Sequence, residues 1–140
     1  MCRLAEDALG GADREAKIGM TAREFEQAQF FKLSLGNTLD SADDEVYDYC
    51  IENNCISIGF GGGVDYSERS EKDIREIGAA AGLGSYDVTA INMFVNHLAL
   101  GSVVVVSKGN RYVRAIGRIT GDYEFREDSP FVNNMHWRHF

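Results

Sequence analysis

Gly101 to Phe125 reads GSVVVVSKGNRYVRAIGRITGDYEF, and the order of residues in this stretch decides the fold. Val103 to Val106 are four β-branched residues in a row, the composition of a strand covered on both faces. Lys108-Gly109-Asn110 supplies the chemistry of a tight reversal. The return strand is two-sided in character. Tyr112, Val113, Ala115, Ile116 and Ile119 are apolar, while Arg111, Arg114 and Arg118 carry guanidinium groups, so one side can pack while another meets anions or solvent. A buried strand, a hairpin and an arginine-bearing strand leading into aromatics predict a small barrel with a ligand at its rim.

The residues that follow carry the next aromatic group. Tyr123, Phe125, Phe131 and Trp137, the sole tryptophan, either cap the end of a barrel or sandwich a flat ligand such as a nucleobase. Upstream, Cys55 to Phe60 predicts a short strand that leads into Gly61-Gly62-Gly63-Val64-Asp65-Tyr66. A dinucleotide fingerprint needs spaced glycines between a strand and an immediate helix, and a phosphate loop needs Gly-Lys-Ser/Thr; neither pattern is present. These glycines instead let backbone approach a ligand closely or form an irregular turn. Phe60, an aromatic at a strand end beside residues too small to cover it, favours the ligand.

The remaining elements follow from caps and periodicity. Thr21 and Glu24 have capping-box spacing for a short helix through Gln29, and Phe30 to Leu35 predicts a strand stopped by Gly36-Asn37. Ser41 with Asp44 opens a helix ending at Asn53-Asn54. Ser70 caps a helix over Glu71 to Ala81, terminated by Gly82 or Gly84, and Asp87 caps another through Leu100 on a 3.6-residue apolar period. His97, near the end of that helix, is favourably placed against the helix dipole and is read as structural. Residues 1–20, with mixed charge and the Gly10-Gly11 pair, predict a flexible or weakly helical leader, leaving residues 21–140 as one domain.

Composition narrows the class. The chain has 140 residues, 44% hydrophobic and 26% charged, ordinary values for one globular domain. No apolar run is long enough for a membrane span and the N-terminus is no secretory signal, which predicts a cytoplasmic protein. Cys2, Cys50 and Cys55 lack zinc-ligand spacing with any histidine and are read as free thiols. The net charge of −8 opposes a surface coated for nucleic acid. Yet residues 101–140 hold six Lys/Arg against four Asp/Glu, so basic groups concentrate on the hairpin and the tail. That distribution permits a local anion-binding face.

An ordered set of segments resembles a known family. Phe31-Lys32-Leu33-Ser34-Leu35-Gly36-Asn37, Ile56-Ser57-Ile58-Gly59-Phe60 with Asp65, Gly101 to Val106, Ala115 to Tyr123, and His136-Trp137-Arg138 occur in that order. The set resembles the EVE/YTH-like branch of the PUA-like β-barrels, and within it the N-terminal DNA-reading domains of McrB-like modification-dependent restriction proteins. It spans residues 30 to 140. The resemblance implies an α+β fold, a small, curved, partly closed mixed β-barrel flanked by helices, that receives a modified base extruded from double-stranded DNA. Phe60 would be one aromatic wall and Trp137 or Tyr123 the other, with Ser34 and Asn37 near the pocket. Asp65 or Asp122 would accept from an exocyclic amine, and Arg114, Arg118 and Arg138 would meet phosphates. No cofactor or metal is implied, and the domain itself would be non-catalytic. An AAA+ GTPase motor would be its partner, either as another portion of the same protein or as a subunit. Two departures from the family stand out. Many relatives have tryptophan where this chain has Phe60, and the family commonly closes with a strand beyond the last residues here, so either a missing final strand or a shortened barrel edge is expected.

Readings from other classes are RNA binding, protein interaction through exposed aromatics, and a small barrel enzyme using His136, Asp122 and Lys32. No triad, metal-ligand cluster or carboxylate pair has the spacing that the enzyme requires.

Overall fold

The computed structural model describes residues 2–6, 19–36, 44–132 and 134–140, the first segment by its backbone alone. The strands are β1 (Cys2–Glu6), β2 (Phe30–Leu33), β3 (Val103–Lys108) and β4 (Tyr112–Ile119); the helices are α1 (Ala22–Gln27), α2 (Asp44–Glu52), α3 (Glu71–Ala80) and α4 (Ser85–Asn92). The fold is α+β, and no helix among the described residues is long and apolar enough to cross a membrane. The chain divides into two compact units. Met1–Ile56 with Ala99–Asp122 makes one, and Ser57–Leu98 with Tyr123–Phe140 makes the other.

The first unit is a mixed sheet in the order β1-β4-β3-β2. β3 is central, antiparallel to β4 and parallel to β2, and Val103, Val104 and Val106 are fully buried, as a strand with neighbours on both sides demands. The predicted reversal forms at Gly109, whose φ of +60° suits glycine, and a bulge interrupts the ladder between Val106 and Ser107. The barrel expectation is corrected here. Among the described residues the sheet is open, with β1 and β2 as its edges, because neither of these strands pairs with the other. The leader expectation is corrected as well, since Cys2–Glu6 pairs with Ile119 to Ala115 as β1.

Around the sheet, α1 begins with the predicted capping box: Thr21 N–H donates to Glu24 Oε2 at 2.8 Å, and Glu24 N–H donates to Thr21 Oγ1 at 3.2 Å. The helix ends at Gln27, two residues earlier than expected. α2 buries Val46, Tyr47 and Cys50, and lies under Arg114 of β4. That guanidinium sits 3.5 Å above the Tyr47 ring and 3.7 Å from Asp44 Oδ1, while the Tyr47 hydroxyl donates to the Arg114 carbonyl. Cys50 and Cys55 are buried. The proposed cap Ser41 lies outside the described residues.

In the second unit α3 starts with a capping box between Ser70 and Asp73 and ends in a Schellman motif. Gly82 takes φ +70°, and the amides of Gly82 and Leu83 donate to the carbonyls of Ala79 and Gly78. α4 starts at Ser85, with Gly84 rather than Asp87 at the cap, and its last turn widens into a π-helix over Met93–His97. The 3.6-residue period that predicted helix to Leu100 therefore stops short. His97 Nε2 lies 2.8 Å from Glu71 Oε1, joining the end of this turn to the start of α3.

Candidate functional site

The predicted strand Cys55 to Phe60 is reduced to one bridge, between Ile58 and His139. His139 also bridges Phe125, so its backbone is the middle of three short extended segments. Its carbonyl accepts from Ile58 N–H at 3.1 Å and from the buried Ser57 hydroxyl at 2.8 Å. The tail thereby fixes the start of the glycine loop.

Two of these glycines are sterically required. A Cβ on Gly59 would stand 2.8 Å from Trp137 Cε2, because the indole lies directly on the backbone there. A Cβ on Gly61 would stand 2.8 Å from Tyr66 Cε2 and 3.0 Å from His139 Nε2, and its φ of +93° excludes most side chains in any case. The loop is held from inside: the Tyr66 hydroxyl donates to the Gly61 carbonyl at 3.3 Å, and His139 Nε2 lies 3.0 Å from the Gly62 carbonyl.

That last contact fixes the imidazole tautomer. A carbonyl only accepts, so Nε2 carries the hydrogen and Nδ1 is an acceptor. Nδ1 takes the Tyr123 hydroxyl hydrogen at 2.7 Å, and the Tyr123 oxygen in turn accepts from Tyr66 N–H at 3.4 Å. Burial holds the His139 pKa below its ordinary value, against the opposing pull of Gly62 and the Asp65 charge. Burial likewise pushes Tyr123 up to about 12, and Tyr66 upward. At neutral pH the network is uncharged and satisfied in hydrogen bonds, so its chemistry is to hold shape.

The predicted site residues fall into two groups. Phe60, Asp65, Tyr123, Trp137 and Arg138 share the second unit; Ser34, Arg114, Arg118 and Asp122 belong to the first; Asn37 lies outside the described residues. Phe60 is half-buried and meets Tyr86 edge-to-face at 5.7 Å, with Tyr86 73% exposed. Trp137 is buried, and its indole N–H is without a partner among the described residues. Tyr123 stacks on His139 and has its hydroxyl engaged, and so does not stand as an open wall. Asp65 is exposed and accepts from Ser67 N–H at 2.8 Å, which lowers its carboxyl pKa. Arg138 Nε donates to the Met135 carbonyl, and its Nη1 lies beside Gly63.

In the first unit Ser34 and Asp122 are exposed, Arg114 is held by Tyr47 and Asp44, and Arg118 Nη1 donates to the Gly19 carbonyl at 2.6 Å. Sequence reasoning missed Tyr86 and His139. Tyr86 follows Gly84-Ser85 at a helix start, a position that leaves a large ring without covering residues. His139 gives no local signal, since its partners are 16 and 77 residues away. Among the described residues no group of three or more His, Cys, Asp or Glu could hold a metal ion.

No curated protein and no solved structure matches the chain. A family model described as a domain of unknown function, DUF8426, matches residues 31–139, a span running from β2 through the glycine loop to the His139 network. The chain belongs to the DUF8426 family.

Proposed function

We propose that this chain reads a modified base in double-stranded DNA, on an EVE/YTH-like, PUA-like plan. It would act in the cytoplasm as the specificity element of a McrB-like restriction system whose AAA+ GTPase supplies the motor. The observation that carries this reading is the Phe60–Tyr86 pair, two aromatic rings meeting beside a glycine loop, one of them largely exposed. Open backbone at Gly62 and exposed π surface are what a planar ring requires. The α+β class of the fold supports this reading at the level of class alone, the sheet being open among the described residues.

The energetics define what the site must supply. Extruding a base costs a few kcal/mol, and stacking returns about 1 to 3 kcal/mol per base. A buried methyl group adds about 0.8 kcal/mol, enough for modest discrimination. Phosphate contact falls to Arg138 in this unit, whose Nη1 sits at the loop. With one phosphate-contacting arginine named in this unit and a net charge of −8, binding is weak and its salt dependence shallow.

The test is fluorescence anisotropy on matched duplexes bearing adenine, N6-methyladenine, cytosine or 5-methylcytosine at one site, at two salt concentrations. One modified duplex is expected to bind more tightly than its plain twin, with Phe60→Ala and Tyr86→Ala erasing the difference. Equal binding of every twin, or binding unchanged by both substitutions, overturns the reading.

A further inference from the structure

The β3–β4 hairpin continues past the residues that cover its base. Lys108 to Val113 are all exposed, yet the ladder still holds there, with Ser107 opposite Val113 and Lys108 opposite Tyr112. The tip is an ordered finger in solvent. In a strand that packs on one side, successive side chains alternate between covered and exposed. Tyr112 and Val113, adjacent in β4, are 68% and 40% exposed, so neither face of the finger is covered.

Positive charge collects on the same finger. Residues directly opposite on paired strands are side-chain neighbours, which sets the Lys108 ammonium beside the Tyr112 ring, and Arg111 precedes that ring in the chain. Lys32 of β2 reaches across to join them: its Nζ donates to Asn110 Oδ1 at 3.0 Å, using one of the three hydrogens that an ammonium carries. Among the described residues no carboxylate pairs with Lys32, Lys108 or Arg111, whereas Lys72, Arg75, Arg114 and Arg126 each lie within 3.7 Å of one. In a chain with 22 Asp/Glu against 14 Lys/Arg, three cations clear of carboxylates around one exposed ring are a selective arrangement. Phosphates complement the cations, and a base complements the face of the ring. Two exposed apolar side chains are too little surface to enter a lipid layer, but one ring is enough to stack one base.

We infer that this finger binds single-stranded nucleic acid, with an unstacked base on Tyr112 and the neighbouring phosphates on Lys32, Lys108 and Arg111. A duplex keeps its base faces in its own stack and offers the finger phosphates alone. The contact is independent of the base-reading proposal, which concerns the other unit.

The test is fluorescence anisotropy of the full chain with a labelled oligothymidylate of about twelve nucleotides, within the usual range of single-strand site sizes. An abasic oligomer of the same length keeps the phosphates and removes the bases. The oligothymidylate is expected to bind saturably and to lose roughly twentyfold in affinity between about 50 and 200 mM salt, as three neutralised phosphates require. The abasic oligomer should bind about tenfold more weakly, the worth of one stacked base. Tyr112→Ala should lose the same factor and Tyr112→Phe should retain it, while Lys108→Ala with Arg111→Ala should flatten the salt slope. All of these variants should leave the preference between modified and plain duplexes unchanged. No saturable binding, an abasic oligomer binding as tightly as oligothymidylate, or affinity indifferent to salt overturns the inference. So does sedimentation of the chain with phosphatidylserine vesicles when it fails to bind oligothymidylate. The comparison of the two oligomers decides the matter even if a variant fails to fold.

Discussion

The Tyr123 hydroxyl donates to Nδ1 of His139 at 2.7 Å, and with Nε2 donating to the Gly62 carbonyl the imidazole has no valence left for a proton. Protonation must reverse the Tyr123 bond and strand the hydroxyl hydrogen, and burial already depresses the folded pKa. Above about pH 6.5, the ordinary value for histidine, the ring is neutral in folded and unfolded chains alike, and its contribution to stability is fully present. Below it the unfolded chain takes up a proton that the folded chain refuses. Stability is therefore lost as pH falls from about 6.5 through the folded pKa, at no more than about 1.4 kcal/mol per pH unit. Urea denaturation at pH 7.5, 6 and 5 should show this slope in the parent and a flatter one in His139→Gln. Parallel slopes would remove the role given to His139.

Gly59→Ala places a methyl carbon 2.8 Å from the Trp137 indole, and the tail must give way. The expected cost is about 1 to 3 kcal/mol, typical of overpacking. Because Trp137 is the sole tryptophan, its emission reports this contact without interference. A red shift should accompany the lower denaturation midpoint. Unchanged emission and midpoint together would mean that the indole does not rest on Gly59.

Gly78→Ala tests sign. Within a helix this exchange ordinarily stabilises by about 0.5 to 1 kcal/mol. Here the new Cβ would lie 2.5 Å from Val88 Cγ2, so steric conflict between α3 and α4 should win and the substitution should destabilise. Val88→Ala in the same chain should restore the ordinary stabilising sign relative to Val88→Ala alone, as a double-mutant cycle would measure.

Arg114→Ala should lower stability by about 1 kcal/mol, through loss of the cation–π contact with Tyr47 and the weak pair with Asp44. The same variant should leave the modified-duplex preference intact. A change in preference with no loss of stability would return Arg114 to the phosphate contacts that sequence reasoning assigned it.

What was legible in the sequence is local. The β3–β4 hairpin, the capping boxes at Thr21 and Ser70 and the Gly82 terminator each depend on residues within a few positions of one another. β1 was not legible, because Cys-Arg-Leu-Ala-Glu has no clean alternation and its partner strand starts more than a hundred residues later. The end of α4 was missed because a π-turn has no signature in a 3.6-residue period. At the candidate site, Phe60 was named for the small residues beside it, while Tyr86, which meets its ring, was not. Trp137 was named for its ring, yet chemistry alone does not say that Gly59 is absent of a side chain so that this ring can be buried on it.

The chain passes from one unit to the other between Ile56 and Ser57, Leu98 and Ala99, and Asp122 and Tyr123. Both units are thus discontinuous in sequence, and no single proteolytic cut frees either one whole. A chain ending at Asp122 would keep β1 to β4 while losing Tyr123, Trp137 and His139 together, and with them the contacts described above that shape the glycine loop from the tail. Dissection of the two activities proposed for this protein therefore belongs to point substitution; the scissors of domain truncation would always damage the neighbour.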